Sequence, residues 1–147
     1  MTTGTRAAAR PADQQITPPI WARALIGGAA AAAVNLVIFL IGRAAGASMT
    51  MTTPQPMTIP WQGTIAASIL PMALAGAVTW LLARRWPRVR AWFAWTGLAV
   101  AVLSCAALLS SPDIATALSL GAMHLVVGVA WFLALTLRTH TASRAHA

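Results

Sequence analysis

Four long apolar runs, none containing a charged residue, constrain this chain more than any other feature. Arg23 precedes the first, Ala24 to Gly42, which holds 19 uncharged residues before Arg43. The others are Gly63 to Ala83, Ala91 to Leu109 and Ile114 to Leu137. About 20 such residues, coiled as a helix, cross a hydrocarbon core of about 30 Å. The spacing predicts an all-α polytopic membrane protein with four transmembrane helices in an up-down bundle. The expected spans are 24–43, 63–83, 91–110 and 114–137, within a transmembrane domain of residues 21–138. Residues 1–20 and 139–147 are expected to be cytoplasmic tails, the first disordered.

Composition agrees. Hydrophobic residues make up 59% of the 147 and charged residues 8%, too few charges to cover a water-soluble surface. The connections are polar or broken. Prolines at 54, 56 and 60 forbid a regular helix in the first loop, which reads as exposed. Pro71 falls inside the second span, where it should kink the helix or open its hydrogen-bond ladder. Arg84 to Arg90 form a tight basic turn. The short second and third connections imply that helices two and three, and three and four, are antiparallel neighbours. In Ser111-Pro112-Asp113, Ser111 suits the helix N-cap, Pro112 the first helical position, and Asp113 the positive helix start.

Charge asymmetry sets the expected orientation. Arg6, Arg10, Arg23, Arg84, Arg85, Arg88, Arg90, Arg138 and Arg144 lie on one side of a four-span path, and only Arg43 and Asp113 on the other. The positive-inside rule puts both termini in the cytoplasm. Trp21, Trp80, Trp86, Trp92 and Trp95 gather near that inner face, and Trp61 lies at the outer one. A signal peptide cleaved at Ala45-Gly46-Ala47 is the competing reading. Its apolar stretch exceeds the usual 7–15 residues, and Arg43 interrupts it before the site.

The same residues exclude several chemistries. There is no Glu, and Asp13 and Asp113 are poorly placed to act as a pair. The absence of Lys removes both a P-loop and a Schiff base. The single Cys105 allows no disulfide and no multi-cysteine metal centre. The net charge of +8 is spread along span ends instead of one face, which argues against nucleic acid. No GxSxG turn accompanies His124, so an intramembrane serine hydrolase finds no support. The chain is therefore expected to be no enzyme, with no cofactor and no metal site.

Polar residues inside the spans are the remaining candidates. His124 lies 11 residues after Asp113, about 16 Å into the fourth span. Gly121 and Gly128 share its helix face at i−3 and i+4. That pattern predicts a neutral imidazole turned into the bundle, bonded across helices to Asn35 or Ser104. An intramembrane ionisable residue is also a functional candidate by default. Asn35, Ser68, Ser104, Cys105, Thr116, Ser119 and His124 fall at comparable depths, as an outer polar layer. The layer could line a small-molecule or proton site, although Ser and Thr commonly bond their own i−4 carbonyls. In the first span, Ala24, Gly28 and Ala32 form a small-xxx-small stripe that suits close packing or dimerisation. Met49, Met51 and Met57 in the first loop offer thioethers, which prefer Cu(I).

The stretch from Ser110 through Ser-Pro-Asp, Thr116, Ser119 and Met123-His124-Leu125 to Gly128 resembles the last helix of a family of small bacterial four-helix membrane proteins. That family is known as domain of unknown function six-zero-six-nine. Ala83-Arg84-Arg85 at the end of the second helix and Trp92 opening the third are similar. The resemblance covers about Leu25 to Leu137. It implies four spans and a bacterial inner membrane, and supplies no activity, substrate or cofactor. Three roles follow as expectations. The first is a structural or accessory component whose partners are the lipid bilayer and a second copy or another membrane protein. The second is a small transporter or channel subunit using the layer around His124 and Asn35. The third is a copper-handling protein. Small multidrug exporters also have four spans, but depend on an intramembrane Glu that this chain lacks.

Overall fold

The computed structural model describes residues 18–52, 55–107 and 111–137. The expected tails fall almost entirely outside these residues, as do Arg138 and Arg144. Among the described residues there are four helices: α1 (Ile20–Ala44), α2 (Trp61–Ala83), α3 (Val89–Ala107) and α4 (Ile114–Thr136). All four are long and apolar enough to cross a membrane. At 1.5 Å per residue they run from about 28 to about 38 Å, against a hydrocarbon core of about 30 Å. Two short strands, β1 (Thr50–Met51) and β2 (Met57–Thr58), pair antiparallel between α1 and α2, with Met51 opposite Met57.

The helices run up and down, with the starts of α1 and α3 and the ends of α2 and α4 at the arginine-rich end. They do not form a closed square. α1 packs along α2 and α4, and α4 packs along α3, whereas α2 and α3 barely touch. The bundle is thus a curved row, α2–α1–α4–α3. The expectation that the short basic turn makes α2 and α3 packed neighbours is corrected here: the turn ties their ends, and the helices diverge.

Small residues explain which pairs meet. A Cβ on Gly76 of α2 would overlap Ala24 Cβ, and one on Gly28 of α1 would lie 3.4 Å from Ile69 Cα. The stripe of Ala24, Gly28 and Ala32 is therefore consumed inside the bundle, with Ala24 and Gly28 set against α2. A Cβ on Gly128 would overlap Ala101 of α3, and one on Gly97 would overlap the Trp131 indole. Glycine at such points lets backbones approach closely. Trp131 is buried, and its Nε1 donates to the Phe93 carbonyl at 2.8 Å.

Two apolar clusters fill the row. One, toward the arginine-rich end, contains Ala24, Met72, Ala94, Trp131 and Leu135. The other, toward the hairpin, contains Phe39, Ala47, Met49, Leu120 and Met123. Six of the seven tryptophans are at least 36% exposed, Trp131 being the buried one. At the arginine-rich end, Arg23 Nη2 donates to the Leu137 carbonyl and Arg90 Nε to the Leu135 carbonyl. Two guanidinium groups thereby satisfy carbonyls that the end of α4 leaves without helical partners.

Candidate functional site

The divergence of α2 from α3 opens a lateral cavity of about 450 Å³. Its walls come from Thr64 to Ala75 of α2 and Phe93 to Ser104 of α3, and its floor from α4, with Asn35 of α1. Pro71 sits in the α2 wall and, having no N–H, cannot donate to the Ala67 carbonyl one turn back. Most of the lining is apolar, and no lining residue is acidic.

Asn35 is the polar centre. It is 2% exposed. Its Nδ2 donates to Ser68 Oγ at 2.9 Å and to the Met123 carbonyl at 3.4 Å, joining α1, α2 and α4. The Ser68 hydroxyl hydrogen is already committed to the Thr64 carbonyl at 2.8 Å. Flipping the amide would therefore face Oδ1 with two groups that have no hydrogen to give. Oδ1 stays a buried acceptor with no partner. Leaving such a group unpaired costs about 1–3 kcal/mol.

His124 also lines the cavity, but not as expected. The ring is exposed at the protein surface, and Nδ1 lies 2.8 Å from the Leu120 carbonyl of its own helix. The predicted bond to Asn35 or Ser104 is not formed. The i−4 carbonyl is within reach of the side chain, so the ring is satisfied without leaving α4. The flanking glycines misled for a geometric reason. Gly128 does meet α3, but a Cβ on Gly121 would touch nothing within 4 Å. A carbonyl can only accept, so Nδ1 carries the hydrogen of this contact.

The other layer residues divide in the same way. Ser104 donates to the Val100 carbonyl and Ser119 to that of Ala115, both at 2.7 Å. Ser104 lines the cavity; Ser119 lies instead against Gly42, away from it. Cys105 Sγ lies 3.3 Å from the Ala101 carbonyl and 3.6 Å from that of Gly121. Of the expected candidates, the structure brings Asn35, Ser68, Ser104 and His124 to one cavity. Met123, whose backbone supplies the second Asn35 contact, and Trp131, which closes one end, were missed. No pattern in the sequence marks a carbonyl as a partner, and Trp131 could have been suspected only by matching it to Gly97.

A second polar cluster closes the opposite end of the bundle. Asp113, not Ser111, is the N-cap of α4: its Oδ1 accepts from Thr116 N at 2.6 Å, and Pro112 lies outside the helix. Its Oδ2 accepts from Ser48 Oγ at 2.6 Å, a bridge to the first loop that a hydroxyl at Ser111 could not make with charge. The Ser48 hydroxyl, then the Thr116 N–H, lower the Asp113 pKa from 3.8 to about 2. Met49, at a left-handed φ of 54°, is held by Thr116 Oγ1 at its N–H and Ile59 N–H at its carbonyl. Its side chain is fully buried among Phe39, Leu120 and Met123. The first loop therefore folds down as a plug and is not simply exposed. Met51 and Met57 stand opposite each other in the hairpin, while the Met49 thioether is spent on packing.

The four membrane-length helices, the six exposed tryptophans and the apolar exterior define a multi-pass membrane protein built on an open four-helix bundle. Residues 15–141 match the model of the Family of unknown function DUF6069, and the chain belongs to that family. No curated protein and no solved structure matched the chain.

Proposed function

We propose that this protein is a non-enzymatic accessory component of the bacterial cytoplasmic membrane, with both termini in the cytoplasm, that holds an apolar ligand in its lateral cavity. The observation that carries this reading is the cavity itself, walled by α2 and α3, floored by α4 and lined mostly by apolar side chains. Its volume falls in the range of small-molecule sites. A non-enzymatic role is supported by how the polar groups are used. The hydroxyls of Ser68, Ser104 and Ser119 donate to carbonyls of their own helices, and Asp113 is engaged as a cap. None is coupled to His124, whose Nδ1 is held by the Leu120 carbonyl.

The transporter reading draws on the same cavity, since Asn35 and His124 both line it. Against it, apolar clusters lie toward both ends of the bundle, and the Met49 plug adds to the one beside the hairpin. Purified protein in liposomes separates the two. An accessory binder retains an apolar fluorophore and moves no protons, and sustained proton flux that Asn35→Leu abolishes would overturn it. Orientation is tested separately by reporter fusions. Those after Arg88 and at the C-terminus should read cytoplasmic and one after Asp113 periplasmic. A periplasmic C-terminus would refute the arrangement.

A further inference from the structure

We infer that the opening between α2 and α3 seats an anionic phospholipid, with its phosphate on the exposed arginines of the basic turn and one acyl chain in the lateral cavity. This rests on the reading of the cavity as a binding site and names the chemistry of its ligand. The turn that carries Arg84, Arg85 and Arg88 joins the two helices that wall the cavity, so these cations stand at the foot of the opening. All three are exposed. Arg23 and Arg90 are spent on carbonyls at the end of α4. Asp113, the one acidic residue among those described, caps the far end of that helix. The Arg84 guanidinium lies over the Trp80 ring, 5.1 Å from its centroid, and that of Arg85 over the Trp86 ring at 5.8 Å. A guanidinium held over an indole keeps its N–H edge free for the paired hydrogen bonds that a phosphate accepts.

Apolar surface connects these arginines to the cavity. The Trp92 N–H bonds the Arg88 carbonyl, and Arg88, Trp92, Trp95 and Ala99 follow one another at helical spacing. The last three of these line a shallow groove with Ala91 and Thr96. Thr96 lines the cavity as well, so groove and cavity adjoin there. Trp131 closes the cavity toward the arginine-rich end, and a chain anchored at the turn must enter from the side, past Thr96. The lengths agree. Phe93 and Gly97 stand about 8 and 14 Å along α3 from Arg88. One leaflet supplies about half of a 30 Å hydrocarbon core, so an acyl chain held at the turn reaches both. The headgroup is decided by charge. A hydrocarbon or a neutral lipid leaves three guanidinium groups unmatched, and a zwitterion brings a cation of its own beside them. An anionic phosphodiester supplies the missing charge and accepts their hydrogens.

The test uses the full chain in phosphatidylcholine nanodiscs, whose two leaflets are alike, so orientation plays no part. Trace phosphatidylglycerol, or trace phosphatidylcholine, carries a diazirine midway along one acyl chain, and labels are mapped by residue. Labelling of Met72, Phe93 and Gly97 on the cavity walls is read against Ile26 and Leu40, which are exposed on α1. Phosphatidylglycerol should label the walls about fivefold more than phosphatidylcholine, or better, the effect of one arginine near an anionic headgroup. Arg84→Gln, Arg85→Gln and Arg88→Gln together should bring that ratio to one while labelling by phosphatidylcholine holds, a sign that the variant is folded. Arg84→Lys, Arg85→Lys and Arg88→Lys, which keep the charge, should restore the preference. Excess soluble glycerol phosphate should not compete; if it does, the lipid is overturned in favour of a soluble anion. Equal labelling by the two lipids in the parent would overturn the anionic headgroup and leave a cavity open to any acyl chain. A ratio unchanged in the glutamine variant would overturn the part given to the arginines. Absence of wall labelling by either lipid would overturn the binding cavity as well.

Discussion

Gly121 and Gly128 look equivalent in the sequence, seven residues apart on one face of α4, yet replacing each with Ala should have different consequences. At Gly128 the new methyl would overlap Ala101 Cβ and meet Leu98 Cδ1 at 3.6 Å. Since α3 is held chiefly by α4, the methyl must push α3 outward. Overpacking of this kind costs about 1–3 kcal/mol. The roughly 1 kcal/mol by which Ala outranks Gly in aqueous helices should be nearly silent here. A separated transmembrane helix stays helical, because the bilayer offers its backbone no other partners. Gly121→Ala places its methyl in open space and should change stability by no more than about 0.5 kcal/mol. Reversible unfolding in mixed micelles measures both. The added change Ala101→Gly should recover most of the Gly128→Ala loss, as a double-mutant cycle requires of two touching groups. A Gly128→Ala protein as stable as the parent would refute the close contact between α3 and α4.

The Asp113 cluster should respond to acid. Its pKa is depressed in the folded protein, so its stabilisation is complete above the ordinary 3.8 and is lost as pH falls toward about 2. Exchange of the Met49 amide hydrogen, bonded to Thr116 Oγ1, should accelerate across that window and lose the dependence in Asp113→Asn. His124→Leu should alter stability by no more than about 0.5 kcal/mol, because the ring is exposed and bonds only its own helix; a loss well above that would place it between helices. Arg90→Met should cost about 0.3–1 kcal/mol by uncapping the end of α4, measured by the same micelle unfolding, and no change would show the Leu135 carbonyl to be served otherwise.

The spans were legible because a bilayer tolerates little else: uncharged apolar runs of this length between arginines can only be helices. Which face of each helix turns inward was far less legible. α1 is apolar nearly all round, so the usual contrast between a polar and an apolar face is missing, and only its small residues mark the contact stripe. Asn35 could be placed by depth, and its partner Ser68 lay in the expected layer. His124 was misread because helical geometry says which residues share a face, not whether that face meets protein or lipid. The first loop shows a similar limit. Its prolines rule out a helix, but nothing in Ser48-Met49-Thr50 announces that Met49 turns down to bond Thr116, 67 residues later.

The cavity is encoded by where the small residues lie and where they do not. Gly76 of α2 faces Ala24 of α1, and Gly97 of α3 faces Trp131 of α4; Gly63 meets only Pro60. No glycine of α2 or α3 is positioned to let these two backbones approach each other. The facing surfaces instead carry Pro71 and Ala75 on one side and Phe93 and Val100 on the other. Closing the gap is not needed to bury the Asn35 oxygen, which is already buried. In a bilayer the lipid chains are as apolar as those walls, so hydrophobicity gives no drive to close the gap. The open row is therefore the packing that this distribution of glycine and proline favours, and the cavity remains accessible from the side.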